Sequence, residues 1–172
     1  MEKEDTTYSL ELAELKDVSV CYEIIEDGRA FQQEQGFIQW TEKYPNRDTI
    51  VEDIQRQKGY VLKSDQDILG YMLIDFDGEP AYDTIKGAWR SDAPYGVIHR
   101  LAFSKKARGK GIAHKAFALI DEMCLAHNVP YIRIDTGFQN KRMQHILEKN
   151  GYVKCGSVIF QGGEFLAYDK IL

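Results

Sequence analysis

The sequence predicts an α/β fold with a mixed, mostly antiparallel central sheet and helices on both faces. Its first half has the pattern of an antiparallel hairpin at residues 60–76, and its second half has a strand–helix–strand crossover at residues 97–136. Hairpin strands run antiparallel and crossover strands run parallel, so one sheet should contain both kinds of pairing. The length of 172 residues, with 44% hydrophobic and 12% aromatic residues, predicts a single domain over residues 1–172.

The first segments predict an edge strand and a helix. Residues 9–15 alternate weakly, which indicates a strand at the edge of the sheet. Asp17 can cap the helix that follows, and Gly36 ends it. The apolar residues of this helix recur at helical spacing: Cys21, Ile24, Ile25 and Phe31.

An aromatic loop and a second helix come next. Residues 37–45 have no single period, and Pro45 prevents a helix through them, so they predict an ordered loop. Asn46 or Asp48 can then begin a short helix that ends near Gly59.

The remaining elements build the sheet. Strands at 60–63 and 68–76 form the predicted hairpin, and residues 77–94 predict a long surface loop with one helical turn at 82–85. After the loop, strands and helices alternate: strands at 97–103, 130–136, 152–160 and 163–170, and helices at 112–127 and 140–149.

The turn between the strand at 97–103 and the following helix predicts a phosphate site. Gly109 and Gly111 carry no side chains where the first-turn N–H groups of a helix are unpaired, so an anion can approach several donors. Arg108 and Lys110 add positive charge beside this opening. The turn therefore predicts an anion cradle.

Two phosphate motifs fit this turn poorly. The P-loop requires a Gly-Lys-Ser/Thr spacing that does not occur here. The dinucleotide fingerprint would use Gly109 and Gly111, with Asp135 ending the next strand, but its third small residue falls at His114. A histidine there prevents close packing of the helix on the strand.

The third interpretation is a family resemblance. The segment Arg108–Ala113 resembles the Arg/Gln-x-x-Gly-x-Gly/Ala motif of the GCN5-related N-acetyltransferase (GNAT) family. The preceding strand 98–103 and the downstream pattern from Asn140 to Tyr152 are similar to the family's neighbouring motifs, so the resemblance covers residues 97–155. Residues 39–45, which contain Gln39-Trp40 and Tyr44-Pro45, are similar to bacterial members of unassigned substrate.

The resemblance implies a sheet that splays between its two crossover strands, where acetyl-CoA binds as co-substrate. It implies that the pyrophosphate lies on the turn, formed by Arg108, Gly109, Lys110, Gly111, Ile112 and Ala113. The pantetheine arm would pair with the backbone of Leu101, Ala102 and Phe103. Asn140 and Met143 would also contact the cofactor.

Two side chains are candidates for removing a proton from an attacking amine. His99 lies just before the cofactor-binding stretch, and imidazole titrates near neutral pH, although a hydrogen-bonded strand residue is the alternative role. Asp135 ends the neighbouring strand and is the other candidate. Many family members carry a tyrosine acid where this chain has Leu147, so Tyr152, Tyr44 or water would have to protonate the leaving thiolate.

Aromatic residues of the two irregular segments are the predicted substrate contacts: Trp40, Tyr44, Tyr82 and Trp89. The expected activity is N-acetylation of a primary amine on a small molecule or peptide, by direct attack in a ternary complex. The alternative is an acyl-CoA-binding sensor with little or no turnover, which the missing tyrosine would fit.

Composition restricts the partners. A net charge of −5 argues against a nucleic-acid surface, and no apolar run reaches the length of a membrane span, so we expect a cytoplasmic protein. The three cysteines, Cys21, Cys124 and Cys155, are expected to be reduced thiols, and no metal site is predicted. Exposed edge strands and the C-terminal strand pair are compatible with a homodimer.

Overall fold

A computed structural model describes residues 7–172, in which eight strands form one sheet. The strands are β1 Tyr8–Leu12, β2 Gly59–Ser64, β3 Asp67–Asp75, β4 Lys86–Gly87, β5 Gly96–Phe103, β6 Tyr131–Gly137, β7 Val153–Phe160 and β8 Gly163–Ile171. The α-helices are α1 Val18–Glu34, α2 Arg47–Gln55, α3 Ile112–Ala126 and α4 Lys141–Lys149. Short 3₁₀ turns occupy Leu15–Asp17, Pro80–Thr84 and Lys105–Ala107.

The sheet is mixed and mostly antiparallel, which confirms the predicted fold class. Its strand order is β1-β2-β3-β5-β6-β8-β7-β4, and of the strand pairs within residues 7–172 only β5 and β6 run parallel. That parallel pair is the predicted crossover, whose connection is α3. The predicted loop over 77–94 also contains β4, a two-residue strand that pairs with β7 and that is too short to produce a periodic pattern in the sequence.

Helices cover both faces of the sheet because successive strand residues point to opposite sides. On β2, Val61 packs in the cluster built around α1 and α2, whereas Leu62 packs in the cluster that includes α3. The apolar face predicted for the first helix is found in α1, where Cys21, Ile24 and Ile25 are buried.

The opening in the sheet lies between β5 and β6. Their pairing covers only Gly96–Ile98 against Ile132–Ile134, after which the strands separate. On the other side of β5, the register with β3 shifts between Tyr71 and Leu73. Two residues of β5, Arg100 and Leu101, therefore lie opposite the single residue Met72 of β3. Such a bulge bends a strand, and Arg100 takes the positive φ of 55° that marks it. The bulge therefore leads β5 away from β6.

All three cysteines are free thiols. Cys21 and Cys124 are buried, and burial raises the pKa of each thiol to about 12. Within residues 7–172, no helix combines the length and the apolar character that crossing a bilayer requires.

Candidate active site

A groove runs along the open edge of β5. Its volume is about 460 Å³, and its walls come from α1, the end of β5, the turn before α3, and α4. Phe31 of α1 and Ile146 of α4 form apolar walls, and Leu101, Ala102 and Phe103 of β5 all line it. The part of the chain that the structure describes places no strand against this edge beyond Ile98. The backbone of β5 can therefore pair with an extended ligand.

The glycine turn closes one end of the groove. Gly109 and Gly111 have positive φ values of 78° and 68°, which glycine adopts without strain. A Cβ atom built on either residue meets no atom within 4 Å, so the turn faces open space. The first hydrogen bond into α3 runs from Lys115 N to Gly111 O at 3.2 Å, which leaves the N–H groups of residues 112–114 outside the helical ladder. The turn has the donors and the room that a diphosphate requires.

Most of the predicted phosphate residues line the groove: Arg108, Gly109, Gly111, Ile112 and Ala113. Lys110 does not; it is exposed beside the turn. The Arg108 guanidinium lies 4.1 Å above the ring of Phe31 and donates a 2.8 Å hydrogen bond to the carbonyl of Asp27. Arg108 is thus held against α1 at the edge of the groove.

A second cavity, of about 380 Å³, joins the groove. The two spaces share part of their walls: Gln32, Trp40, Leu101, Asn140 and Met143. Asn140 caps α4, because its Oδ1 atom accepts a 3.1 Å hydrogen bond from Met143 N. A reacting group at this junction would be accessible from both spaces.

Both predicted base candidates, His99 and Asp135, line the second cavity, and a second carboxylate, Glu79, contacts His99. His99 Nε2 lies 3.2 Å from Glu79 Oε2, and His99 Nδ1 lies 4.0 Å from Asp135 Oδ2. The imidazole stacks on Phe160, with the ring centroids 5.0 Å apart. These contacts fix the plane of the imidazole between two carboxylates.

The two carboxylates experience different environments. The hydrogen bond with His99 holds the pKa of Glu79 below its usual value. Burial raises the pKa of Asp135 above its usual value, although the charge of His99 and a hydrogen bond from Tyr82 act in the opposite direction. A carboxyl group with a raised pKa in a cavity is a frequent feature of acid–base sites.

A buried ion pair supports the opposite wall of the second cavity. The Arg100 guanidinium donates to Asp53 through Nε at 2.9 Å and through Nη2 at 2.5 Å. Its Nη1 atom donates a 2.8 Å hydrogen bond to the hydroxyl oxygen of Tyr44, which lines the cavity. Tyr71 donates a further 2.7 Å hydrogen bond to Asp53. The bulge residue and the predicted substrate contact Tyr44 thus belong to one network.

Two of the four predicted substrate contacts lie elsewhere. Trp40 and Tyr44 line the second cavity, but Tyr82 and Trp89 line neither space. Tyr82 is wholly buried in a separate apolar cluster, and Trp89 packs against that cluster, donating from Nε1 to the Tyr82 carbonyl at 2.8 Å. Their role as direct substrate contacts is therefore corrected to one of packing.

The two tyrosines predicted to replace the missing tyrosine acid, Tyr152 and Tyr44, lie in different places. Leu147 is fully buried in the main core, and Tyr152 is buried beside Phe117, outside both spaces. Tyr152 is thereby excluded, whereas the Tyr44 hydroxyl borders the second cavity.

Three residues of the site were not predicted as such. Glu79 lies in the irregular loop, where no periodicity indicates its direction. Gln32 is buried on α1 and accepts a 2.9 Å hydrogen bond from Trp40 N; its four-residue spacing from Gly28 and Ile24 placed it on the buried face of the helix. Gln39 lines the second cavity beside Trp40.

A mixed, mostly antiparallel sheet that opens between its two parallel strands, with helices on both faces, is the fold of acyl-CoA-dependent N-acyltransferases. The sequence model of the acetyltransferase (GNAT) family matches residues 22–152. The chain therefore belongs to the GNAT acetyltransferase family, whose co-substrate is acetyl-CoA.

Solved structures agree with this assignment. A GNAT-family acetyltransferase from Streptococcus agalactiae is 35% identical with a TM-score of 0.86, over 96% of this chain and 95% of that chain. A GNAT-family acetyltransferase from Listeria monocytogenes has 18% identity and a TM-score of 0.74, over 96% and 95% of the two chains.

The aminoglycoside acetyltransferase AAC(6′)-Ib, in complex with ribostamycin and coenzyme A, has 20% identity and a TM-score of 0.71, over 96% of this chain and 93% of that chain. At their low identities, this structure and the Listeria structure show the fold alone. A search of curated proteins found no match.

Proposed function

We propose that the chain transfers the acetyl group of acetyl-CoA to a primary amine of a small molecule or peptide by direct attack in a ternary complex. The observation that carries this proposal is the position of His99, between two carboxylates and on the wall of a cavity that joins the groove. A sensor that only bound acyl-CoA would have no use for a proton acceptor there.

The groove fits the co-substrate. The N–H groups at the start of α3 would hold the diphosphate, and the free edge of β5 would pair with the amides of the pantetheine arm. Acetyl-CoA supplies an acetyl group activated as a thioester. Asn140 and Met143 border both spaces, where the acetyl end of such a ligand would meet the amine.

His99 is suited to accept the proton of the amine. A carboxylate can only accept hydrogen bonds, so the bond to Glu79 places a hydrogen on His99 Nε2 and leaves Nδ1 as the basic nitrogen of the neutral ring. Nδ1 and Asp135 Oδ2 are then both acceptors, 4.0 Å apart, which is too far for a direct hydrogen bond. An ammonium group between them would donate to both, and its proton could pass to Nδ1 before attack.

Tyr44 is suited to protonate the leaving thiolate. The Arg100 guanidinium has donors only, so the Tyr44 oxygen acts as the acceptor in their 2.8 Å hydrogen bond and its own hydrogen is directed elsewhere. After the attack the nitrogen carries an additional proton, which it releases to water. The tetrahedral intermediate then collapses, and the C–S bond breaks with its electron pair on sulfur. A proton from Tyr44 would neutralise that charge, and water would restore the phenol.

The test is an assay of thiol release from acetyl-CoA against a panel of amines, with mass spectrometry of the products. We expect amine-dependent release of one thiol for each acetylated product, and loss of release in His99→Asn. Binding of CoA without release for any amine would instead identify an acyl-CoA sensor.

A further inference from the structure

We infer that the acceptor is a primary amine with no carboxylate or other anionic group beside its reactive nitrogen, and that it offers a further hydrogen-bond donor to the cavity. Simple alkyl and aryl-alkyl amines, amino-acid amides and peptide N-termini belong to this class, whereas free α-amino acids do not. This inference rests on the proposed function, because it describes the acceptor that the second cavity would hold.

The first observation is the charge of the second cavity. Among the residues of 7–172 that line it, Arg100 is the only lysine or arginine, and its charge is already paired with Asp53. Asp135 faces the cavity, and Glu79 lies directly behind His99. Two carboxyl groups thus flank a single imidazole, and with both ionised this part of the site is negatively charged whether or not His99 is protonated.

The second observation is an acceptor without a donor. The Oε1 atom of Gln39 is buried and has no hydrogen-bond partner among the described residues. This oxygen packs against Gly137, the last residue of β6, at 2.8 Å from the position that a Cβ atom on Gly137 would occupy. Buried polar atoms are nearly always paired, so a donor from a bound ligand would complete this one.

These two features exclude an anionic neighbour for physical reasons. The α-carboxylate of a free amino acid is a few bonds from its amine, so an amine placed between His99 and Asp135 would bring that carboxylate into the same negative region. In a partly buried site, like charges repel strongly and water screens them weakly. A carboxylate also has no hydrogen to donate to Gln39 Oε1, whereas the NH₂ group of a carboxamide has two.

The experiment compares matched pairs that differ only in this group. Phenylalaninamide with phenylalanine, and tyramine with tyrosine, are titrated calorimetrically into the protein loaded with CoA, and the same pairs are compared for kcat/KM with acetyl-CoA. We expect the member of each pair that lacks the carboxylate to bind, and to react where turnover occurs, at least about tenfold better.

Two variants at Gln39 sharpen the test. Gln39→Lys places a cation on the cavity wall and should reduce the preference within each pair, whereas Gln39→Met, which is similar in size and uncharged, should weaken both members but keep their order. Equal or tighter binding of the free amino acids, or binding of neither member, would overturn the inference. Preferential binding of the members without a carboxylate, with no thiol release, would support the inference and refute the proposed transfer.

Discussion

The hydroxyl group of Tyr82 donates a 2.6 Å hydrogen bond to Asp135 Oδ2. Tyr82 comes from the loop before β5, and Asp135 lies on β6, so the bond joins two parts of the chain that are distant in sequence. Burial raises the pKa of Asp135 despite this bond, and it raises the pKa of Tyr82 well above its usual value, so that Tyr82 remains a donor. Tyr82 thus supports the cavity from behind.

The raised pKa of Asp135 predicts a conflict between stability and activity. Because its pKa is higher in the folded than in the unfolded chain, the protonated carboxyl stabilises the fold at low pH, and this contribution is lost as pH rises through the folded pKa. Asp135→Asn should therefore raise the melting temperature at pH 7, and the gain should shrink as pH falls. Acetyl transfer should decrease.

The matched control for this variant is Asp92→Asn, which changes an exposed aspartate and should alter neither property. Thermal unfolding between pH 4 and pH 8 checks the prediction. A lower melting temperature for Asp135→Asn at pH 7 would contradict the assignment of a buried, destabilising charge.

Replacement of His99 should remove most of the catalysis without affecting the groove. His99→Asn is expected to lower kcat/KM for the amine by about 10²–10⁴-fold, the usual contribution of a general base. The affinity for CoA should stay unchanged, because His99 lines the second cavity and not the groove. His145→Asn, on the exposed surface of α4, is the control, and thiol release equal to wild type in His99→Asn would refute the role.

Replacement of Tyr44 should separate proton donation from substrate contact. Tyr44→Phe removes the hydroxyl that borders the cavity and should lower kcat about tenfold or more, with little change in the KM for the amine. A raised KM with unchanged kcat would indicate a binding role instead. Tyr22→Phe changes a tyrosine outside both spaces and should leave both constants unchanged.

The Arg100–Asp53 pair should be essential for stability. Both side chains are almost fully shielded, at 11% and 4% exposure, so Asp53→Asn leaves a buried guanidinium without its counter-charge. The expected loss is about 3–5 kcal/mol of unfolding free energy, measured by urea denaturation. Asp48→Asn, in the first turn of the same helix but exposed, should cost much less, and equal losses would contradict the account.

The sequence predicted those features that depend on local periodicity. The alternation of the strands, the apolar face of α1 and the glycine turn before α3 all follow from neighbouring residues, and each appears in the structure at or near its predicted place. The β5 residues of the groove were placed through the family motif that adjoins them.

Long-range pairings were beyond such reasoning. Glu79 approaches His99 from an irregular loop, and Tyr82 and Trp89 fold away from the cavities, because nothing local determines which way a loop side chain faces. Asp53 offered a partial signal, since a charge between Ile50 and Ile54 on a helix requires a buried partner. The sequence does not show that this partner is Arg100, because the bulge in β5 determines where the Arg100 side chain lies.

We propose above all that the N–H groups at the glycine turn hold the diphosphate of acetyl-CoA. Calorimetric titration of CoA into wild type, Gly111→Ala and Gly78→Ala tests it, since both glycines have a positive φ and room for a Cβ atom, but only Gly111 lines the groove. We predict binding to wild type and Gly78→Ala and a clear loss of affinity in Gly111→Ala. The absence of binding to wild type, or equal affinity in all three proteins, would contradict the account.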